Sequence, residues 1–342
     1  MKIIVDAMGG DNAPDEIVLG SIAAVNECNL EVTLVGKGEE ILRVIASNGL
    51  KELPAGIEVV NASEVIEIED DPATSIRDKK DSSLCVGLTL LRDGRGDAFV
   101  SAGSTGALLS GATLIVKRIR GVRRAALAPF IPNKKSGFVL IDCGANAECT
   151  PEYLLQFAYM GSFYMEDVLK VKSPRIGLLN NGVEATKGTP LQQETYALLK
   201  SSELNFVGNV EAKDAMAGAC DVLVSDGFTG NVFLKAVEGA ASMIMSELKG
   251  VFYSSVLTKL AAAMMKSKLN DLKEKMNPDS IGGTALLGIS KPVIKAHGSS
   301  NANAFKNAVI HAAKEAEAGV ASRLQENSKK LRVSVDKVSE YS

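Results

Sequence analysis

Short apolar runs alternate with stretches of helical period along most of the chain. Ile3 to Val5, Glu31 to Val35, Ile57 to Val60, Ala98 to Ser101, Gly137 to Asp142, Arg175 to Asn180, Asn205 to Gly208, Val222 to Ser225 and Pro292 to Ala296 predict strands. Ile17 to Asn26 and Glu39 to Ser47 predict helices. Leu108, Ala112, Ile115 or Val116, and Ile119 recur at about 3.6 residues, as do Phe233, Val237, Ala240 and Ile244. Strands alternating with helices make a mostly parallel sheet covered on both faces, so the expected class is three-layer α/β/α. The pattern is read as one α/β/α domain over residues 1–342, without internal repeat or low-complexity linker. One segment departs from it: 247–276, rich in Met and Lys, predicts a protruding helical hairpin.

Composition narrows the class. With 46% apolar residues and a net charge of −3, the chain has enough material for a core and lacks the basic excess of a nucleic-acid binder. Cys28, Cys85, Cys143, Cys149 and Cys220 are odd in number and form no C-x-x-C pair, which suits reduced thiols better than disulfides or zinc. No signal-like apolar run follows a basic start. The stretch from Val251 to Met265 is broken by Lys259 and is too short to cross a bilayer. The expectation is a soluble, cytoplasmic protein.

In parallel sheets, ligands bind beyond the carboxyl ends of the strands. There the chain places Ser101-Ala-Gly-Ser-Thr-Gly106, Asp142-Cys-Gly-Ala-Asn146, Asn180-Asn-Gly-Val-Glu-Ala-Thr-Lys-Gly188 and Ser225-Asp-Gly-Phe-Thr-Gly-Asn231. Glycines admit a ligand to the backbone, a helix start offers N–H groups, and Ser and Thr add hydroxyls. Each loop alone also reads as a capped tight turn. Gathered on one sheet edge, they would form one crevice for a phosphate-like anion. Without G-x-G-x-x-G or a Walker motif, neither a dinucleotide nor a nucleoside triphosphate is expected, and no cofactor is assigned. Cys143 reads as a small buried residue and His311 as structural. Asp6, Asp11 and Asp226 read as turn and cap residues rather than metal ligands.

With Asp6-Ala-Met-Gly-Gly-Asp11, Gly282-Gly-Thr-Ala-Leu-Leu-Gly288 and His297-Gly-Ser-Ser300 added to those loops, the chain resembles the phosphate acyltransferase family from Asp6 to Ser300. The resemblance implies a homodimer whose fold is similar to isopropylmalate dehydrogenases and phosphotransacetylases. It also implies transfer of a fatty acyl group from acyl carrier protein to inorganic phosphate. The acyl phosphate would pass to a membrane glycerol-phosphate acyltransferase for phospholipid synthesis.

Phosphate is itself the nucleophile in such a reaction, and a thiol of pKa about 8.5 leaves readily. The site then needs positioning and charge stabilisation rather than an attacking side chain. Lys187 and Asn231 are assigned to neutralise phosphate or oxyanion charge. Gly103, Ser104, Thr105, Gly106, Asp226 and His297 are grouped as phosphate-binding, although His297 also reads as shaping its loop. Asn146 and Asn181 are expected to orient the acyl carbonyl, and no metal is required. Three alternatives stay open: a short-chain phosphotransacetylase using coenzyme A, a metal- and NAD-dependent hydroxyacid dehydrogenase, and a non-catalytic phosphate- or lipid-binding module.

Two surface patterns remain. Lys117, Arg118, Arg120, Arg123 and Arg124 place five cations in eight residues without an acid. They read as a solvated helix end or, given an acidic carrier, as its docking patch. Tyr253, Val256, Leu257, Leu260, Met264 and Leu269 recur near helical spacing, beside Lys259, Lys266 and Lys268. That amphipathic pattern suits a peripheral membrane contact or a subunit interface.

Overall fold

Ile3, Ile4 and Val5 are all fully buried, although successive side chains of a strand point to opposite faces. Both faces must therefore be covered. In the computed structural model, which describes residues 1–50, 52–276, 282–328 and 330–331, this holds for strand after strand. The strands are β1 (Lys2–Asp6), β2 (Glu31–Gly36), β3 (Ile57–Asn61), β4 (Ala98–Ser101), β5 (Ala126–Ala128), β6 (Phe130–Ile131), β7 (Phe138–Ile141), β8 (Ile176–Leu179), β9 (Phe206–Val210), β10 (Val222–Val224), β11 (Thr284–Leu287) and β12 (Val293–Lys295). The helices are α1 (Asp15–Cys28), α2 (Gly38–Ser47), α3 (Ser75–Asp78), α4 (Ser83–Arg92), α5 (Thr105–Gly111), α6 (Pro151–Asp167), α7 (Pro190–Lys200), α8 (Ala212–Ala217), α9 (Gly227–Tyr253), α10 (Val256–Met276), α11 (Ala302–Ala318) and α12 (Val320–Glu326). A π-helical turn, Ala112–Val116, continues α5.

Ile3 and Val5 pack with Ile17 and Ile22 of α1 and with Phe305 and Val309 of α11, whereas Ile4 packs with Leu84, Leu88 and Leu91 of α4. Val139 and Ile141 likewise face α6, while Phe138 and Leu140 meet Phe233, Leu234 and Val237 at the start of α9. The layered α/β class read from the pattern is the one observed.

The strands are divided between two sheets. One has the order β3-β2-β1-β4-β12-β11-β5, the other β6-β7-β10-β8-β9. The pattern had missed β5, β6 and β11. All three are short and take part in antiparallel pairs, β5 with β11, β11 with β12, and β6 with β7. Ala126-Leu-Ala128 carries no β-branched residue, and Pro129, which cannot donate to a ladder, parts it from β6.

This seam sets polarity. Two antiparallel pairings make β5 parallel to β12, and β7 runs opposite to β6, which directly follows β5. The end of β7 thus returns to the start of β5, where the Leu127 amide donates to Asp142 Oδ1 at 2.9 Å. Carboxyl-end loops of the two sheets therefore leave the seam at opposite ends. The expectation of a single shared sheet edge is corrected.

Beyond Gly230, no residue of α9 is buried. Phe233 and Val237 are half-buried, but Ala240 and Ile244, read as one apolar stripe with them, are exposed. The helical arm therefore begins well before Glu247.

Beneath α11, Tyr164 and His311 are joined at 2.5 Å through Nε2, and His311 Nδ1 faces the Gly282 carbonyl at 2.7 Å. The carbonyl fixes the proton on Nδ1, so Nε2 accepts from the Tyr164 hydroxyl. Burial holds the His311 pKa down at about 4. Burial also raises Glu315 to about 8, and its Oε2 has no hydrogen-bond partner. Folded Glu315 keeps its proton up to about pH 8, whereas the unfolded chain releases it near the ordinary 4.5. Between these values the folded state binds more protons, so this group costs increasing stability as pH rises. Glu315→Gln should raise the thermal midpoint relative to wild type at pH 8, with the difference shrinking toward pH 5. Scanning calorimetry across that range checks it, and a pH-independent difference contradicts it.

Candidate active site

The loop after β7 is organised by Asp142, whose side chain is fully buried. Oδ1 accepts from the amides of Leu127, Cys143 and Ala145, and Oδ2 from the Asn146 amide and side chain. Burial pushes its pKa upward and those donors oppose the push. Because all five contacts donate, the arrangement is built for a carboxylate. The start of α9 rests on this loop, its Gly227 amide donating to the Asn146 carbonyl at 2.8 Å. Contact is so close that a Cβ at Gly227 would lie 2.5 Å from that carbonyl, and one at Gly230 would lie 2.0 Å from the Asp142 carbonyl. One residue farther along, Asn231 is exposed, with its Cγ 3.7 Å from where Gly144 would carry a Cβ.

β8 and β7 both pair with β10, which brings the Asn180–Gly188 loop onto the same end of the second sheet. Asn180 shapes it, accepting from the Asn181 amide and donating to the Lys187 carbonyl. Asn209 holds its middle through the Glu184 carbonyl at 2.8 Å. The Lys187 stem crosses Gly182, and among the described residues its ammonium has no hydrogen bond or ion pair. Asn181 is exposed and its side-chain amide is equally unengaged among them.

Two assignments change. Both side-chain N–H groups of Asn146 are used, one on the Ala125 carbonyl at 2.8 Å and one on Asp142 at 3.0 Å. Asn146 thus holds the loop and has no donor left for an acyl carbonyl. Asp226 is the N-cap of α9, bonded to the amide and hydroxyl of Thr229 at 2.8 Å each. A buried carboxylate already spent on the cap would repel phosphate. Cys143 is buried and its thiol is raised well above the ordinary value by that burial; Cys149 is raised to about 12. Neither is suited to nucleophilic attack.

The other expected residues lie at the opposite end of the seam. Ser101 donates to Asp6 at 2.7 Å and accepts from the Gly103 amide at 3.0 Å. Ser104 caps α5 through the Ala107 amide, Thr105 is exposed, and Gly106 abuts Pro72. His297 Nδ1 accepts from the Ser299 amide, so this histidine shapes its own loop. Lys295, which the sequence reading passed over, donates to the carbonyls of Ala102 and Ala296. Burial lowers its pKa to about 8, against the pull of Asp6 and Asp11. A lysine inside Val293-Ile-Lys-Ala296 was the signal available. Among the described residues, no hydrogen bond or ion pair joins this group to the Lys187–Asn231 group. Nor does any group of three or more His, Cys, Asp or Glu there form a metal-holding cluster.

Lys117, Arg118, Arg120, Arg123 and Arg124 are all exposed, following the π-turn rather than ending a helix. Val256, Leu257, Leu260 and Met264 lie just past the α9–α10 turn, with Leu257 79% and Met264 88% exposed.

A family model described as fatty acid synthesis protein matches residues 1–323. A phosphate acyltransferase of Brevibacillus brevis is 49% identical over 331 residues, covering 96% of this chain and 98% of that protein. One from Clostridium tetani is 49% identical over 310 residues, covering 90% and 92%. The chain belongs to the phosphate acyltransferase family. Among solved structures, a phosphotransacetylase from Streptococcus pyogenes superposes with a TM-score of 0.60 at 19% identity, covering 93% of this chain and 94% of that one. A branched-chain phosphotransacylase from Enterococcus faecalis gives 0.57 at 14%, covering 92% and 99%. At those identities the likeness shows the fold.

In this member of the family, the backbone contact beneath α9 is a steric requirement with a measurable cost. Gly230→Ala should destabilise by at least about 1–3 kcal/mol, since its neighbour is backbone and cannot turn aside. Gly239→Ala, farther along α9 with nothing within 4 Å, should instead stabilise by about 0.5–1 kcal/mol. Urea midpoints of the two variants decide it; equal effects would contradict the packing argument.

Proposed function

We propose that this acyltransferase moves a long-chain fatty acyl group from the thiol of acyl carrier protein to inorganic phosphate, giving an acyl phosphate for phospholipid synthesis. The observation that carries this reading is the ammonium of Lys187, at strand ends neighbouring the side-chain amides of Asn181 and Asn231, all three without a hydrogen bond or ion pair among the described residues. A phosphate oxygen attacks the thioester carbonyl, the C–O bond forms, the C–S bond breaks, and the thiolate takes up a proton from solvent. Lys187 and Asn231 stabilise charge on phosphate or on the tetrahedral oxyanion, and Asn181 donates to the carbonyl. Ser104, Thr105 and their loop serve a phosphate-binding role only where their end of the seam is brought to that site. The relatives' shared name supports phosphate as acceptor.

The enzyme works as a cytoplasmic homodimer in peripheral contact with the membrane, where a glycerol-phosphate acyltransferase consumes the labile product. Exposed apolar residues on the α9–α10 hairpin support that reading, with Lys259 beside Tyr253 at 6.0 Å. Among the described residues no helix is long and apolar enough to cross a membrane. The basic run from Lys117 to Arg124 receives the acidic carrier.

Lys187→Ala and Asn231→Ala should each lower turnover by about 10²-fold or more while the proteins stay folded. Phosphate-dependent release of carrier-protein thiol from palmitoyl carrier protein measures it. Near-normal turnover removes that residue's role, and activity on acetyl-coenzyme A alone makes this a short-chain enzyme. Leu257→Glu with Leu260→Glu should reduce flotation with anionic vesicles. Conversion to monomer would instead mark the hairpin as a subunit interface.

A further inference from the structure

Arg118, Gly121, Val122, Arg123, Arg124 and Tyr153 line a surface groove of about 700 Å³, holding three cations and no acid. That volume is in the range of small-molecule sites. Lys117 and Arg120 of the same basic run do not line it.

The groove is a built feature. Gln156, itself buried, accepts from the Arg123 amide at 2.8 Å and donates to the Gly121 carbonyl at 3.1 Å. Arg118 closes the loop by donating to the Arg123 carbonyl. Arg124 lies over the Tyr153 ring at 5.7 Å, and among the described residues neither it nor the Arg123 guanidinium has a hydrogen bond or ion pair. A guanidinium resting on a ring keeps its N–H fork for an oxyanion. The groove also adjoins the candidate active site. The residue after Arg124, Ala125, accepts from Asn146, and Leu127 donates to Asp142, so this strand underlies the loop against which Asn231 sits.

We propose that this groove holds the phosphate of the donor's pantetheine arm, with Arg123 and Arg124 as its ligands and the Tyr153 ring supporting Arg124. The inference rests on the carrier-protein reading above. A carrier-borne thioester hangs from a long flexible arm that joins the protein through a phosphodiester. Anchoring that single charged point confines the thioester to one arm's length from the groove, without contacts along the apolar chain. Planar, bidentate recognition is what arginine offers a phosphate.

Calorimetric titration of the purified enzyme with 4′-phosphopantetheine and with pantetheine tests this. Wild type should bind the phosphorylated compound about tenfold more tightly or better, as a charge-assisted pair provides. Arg123→Gln with Arg124→Gln should abolish that preference, with melting temperature checked to confirm folding. Lys117→Gln with Arg120→Gln removes equal charge outside the groove and should keep the preference. Equal binding of both compounds by wild type overturns the proposal. Equal loss in the two double variants also overturns it, since general charge would then be the cause. The thiol-release assay on palmitoyl carrier protein fails separately if the functional reading is wrong.

Discussion

The side chain of Asp142 is the point on which the two sheets and the candidate site jointly depend. Its carboxylate takes a hydrogen bond from Leu127, beside the seam, and four from the loop that follows β7. Pro129 between β5 and β6 has no N–H to donate, although its carbonyl accepts from the Leu140 amide of β7 at 3.0 Å. A buried charge is costly unless fully hydrogen-bonded, and here every donor is an N–H group, four from the β7 loop and one from β5. The Leu127 contact crosses between the halves of the fold, and the other four shape the loop on which the start of α9 rests. Stability and geometry of the site are therefore not separable at this residue.

Much of the fold was legible because parallel strands buried on both faces carry unbroken apolar runs. β1, β2, β4, β7, β8, β10 and β12 announced themselves in that way. What escaped was β5, β6 and β11, where two to four residues and an intervening proline leave no period to read. Their loss mattered more than their size. These strands alone reverse direction at the seam, and the reversal decides which loops share an end. Local sequence records how each loop turns but not which loops face each other.

The residues of the site show the same boundary. Lys187, Asn181 and Asn231 stood out as polar groups in loops after strands, and among the described residues their side chains make no hydrogen bond or ion pair. Asn146 and Asp226 stood out for the same reason, yet the Asn146 side-chain N–H groups and the Asp226 carboxylate are taken up by neighbouring backbone and side-chain groups. Asn and Asp are favoured at turns and caps because they bond locally, so composition cannot separate a ligand from a brace. Lys295 errs the other way. Set within an apolar strand, it reads as one more position of the sheet, although burial pulls its pKa down to about 8 against the opposing pull of Asp6 and Asp11.

Helix α9 behaves mechanically as a cantilever. Its first turn is clamped by the Asp226 cap and by glycine contacts against the Asp142 loop, and it then runs about 40 Å at the usual rise for its 27 residues. Bending displacement in a beam fixed at one end grows steeply with distance from the clamp. Asn231, only a few residues along, sits where such displacement is smallest, and Tyr253 sits where it is largest. One helix thus combines a fixed base that carries Asn231 with a far end free to deflect.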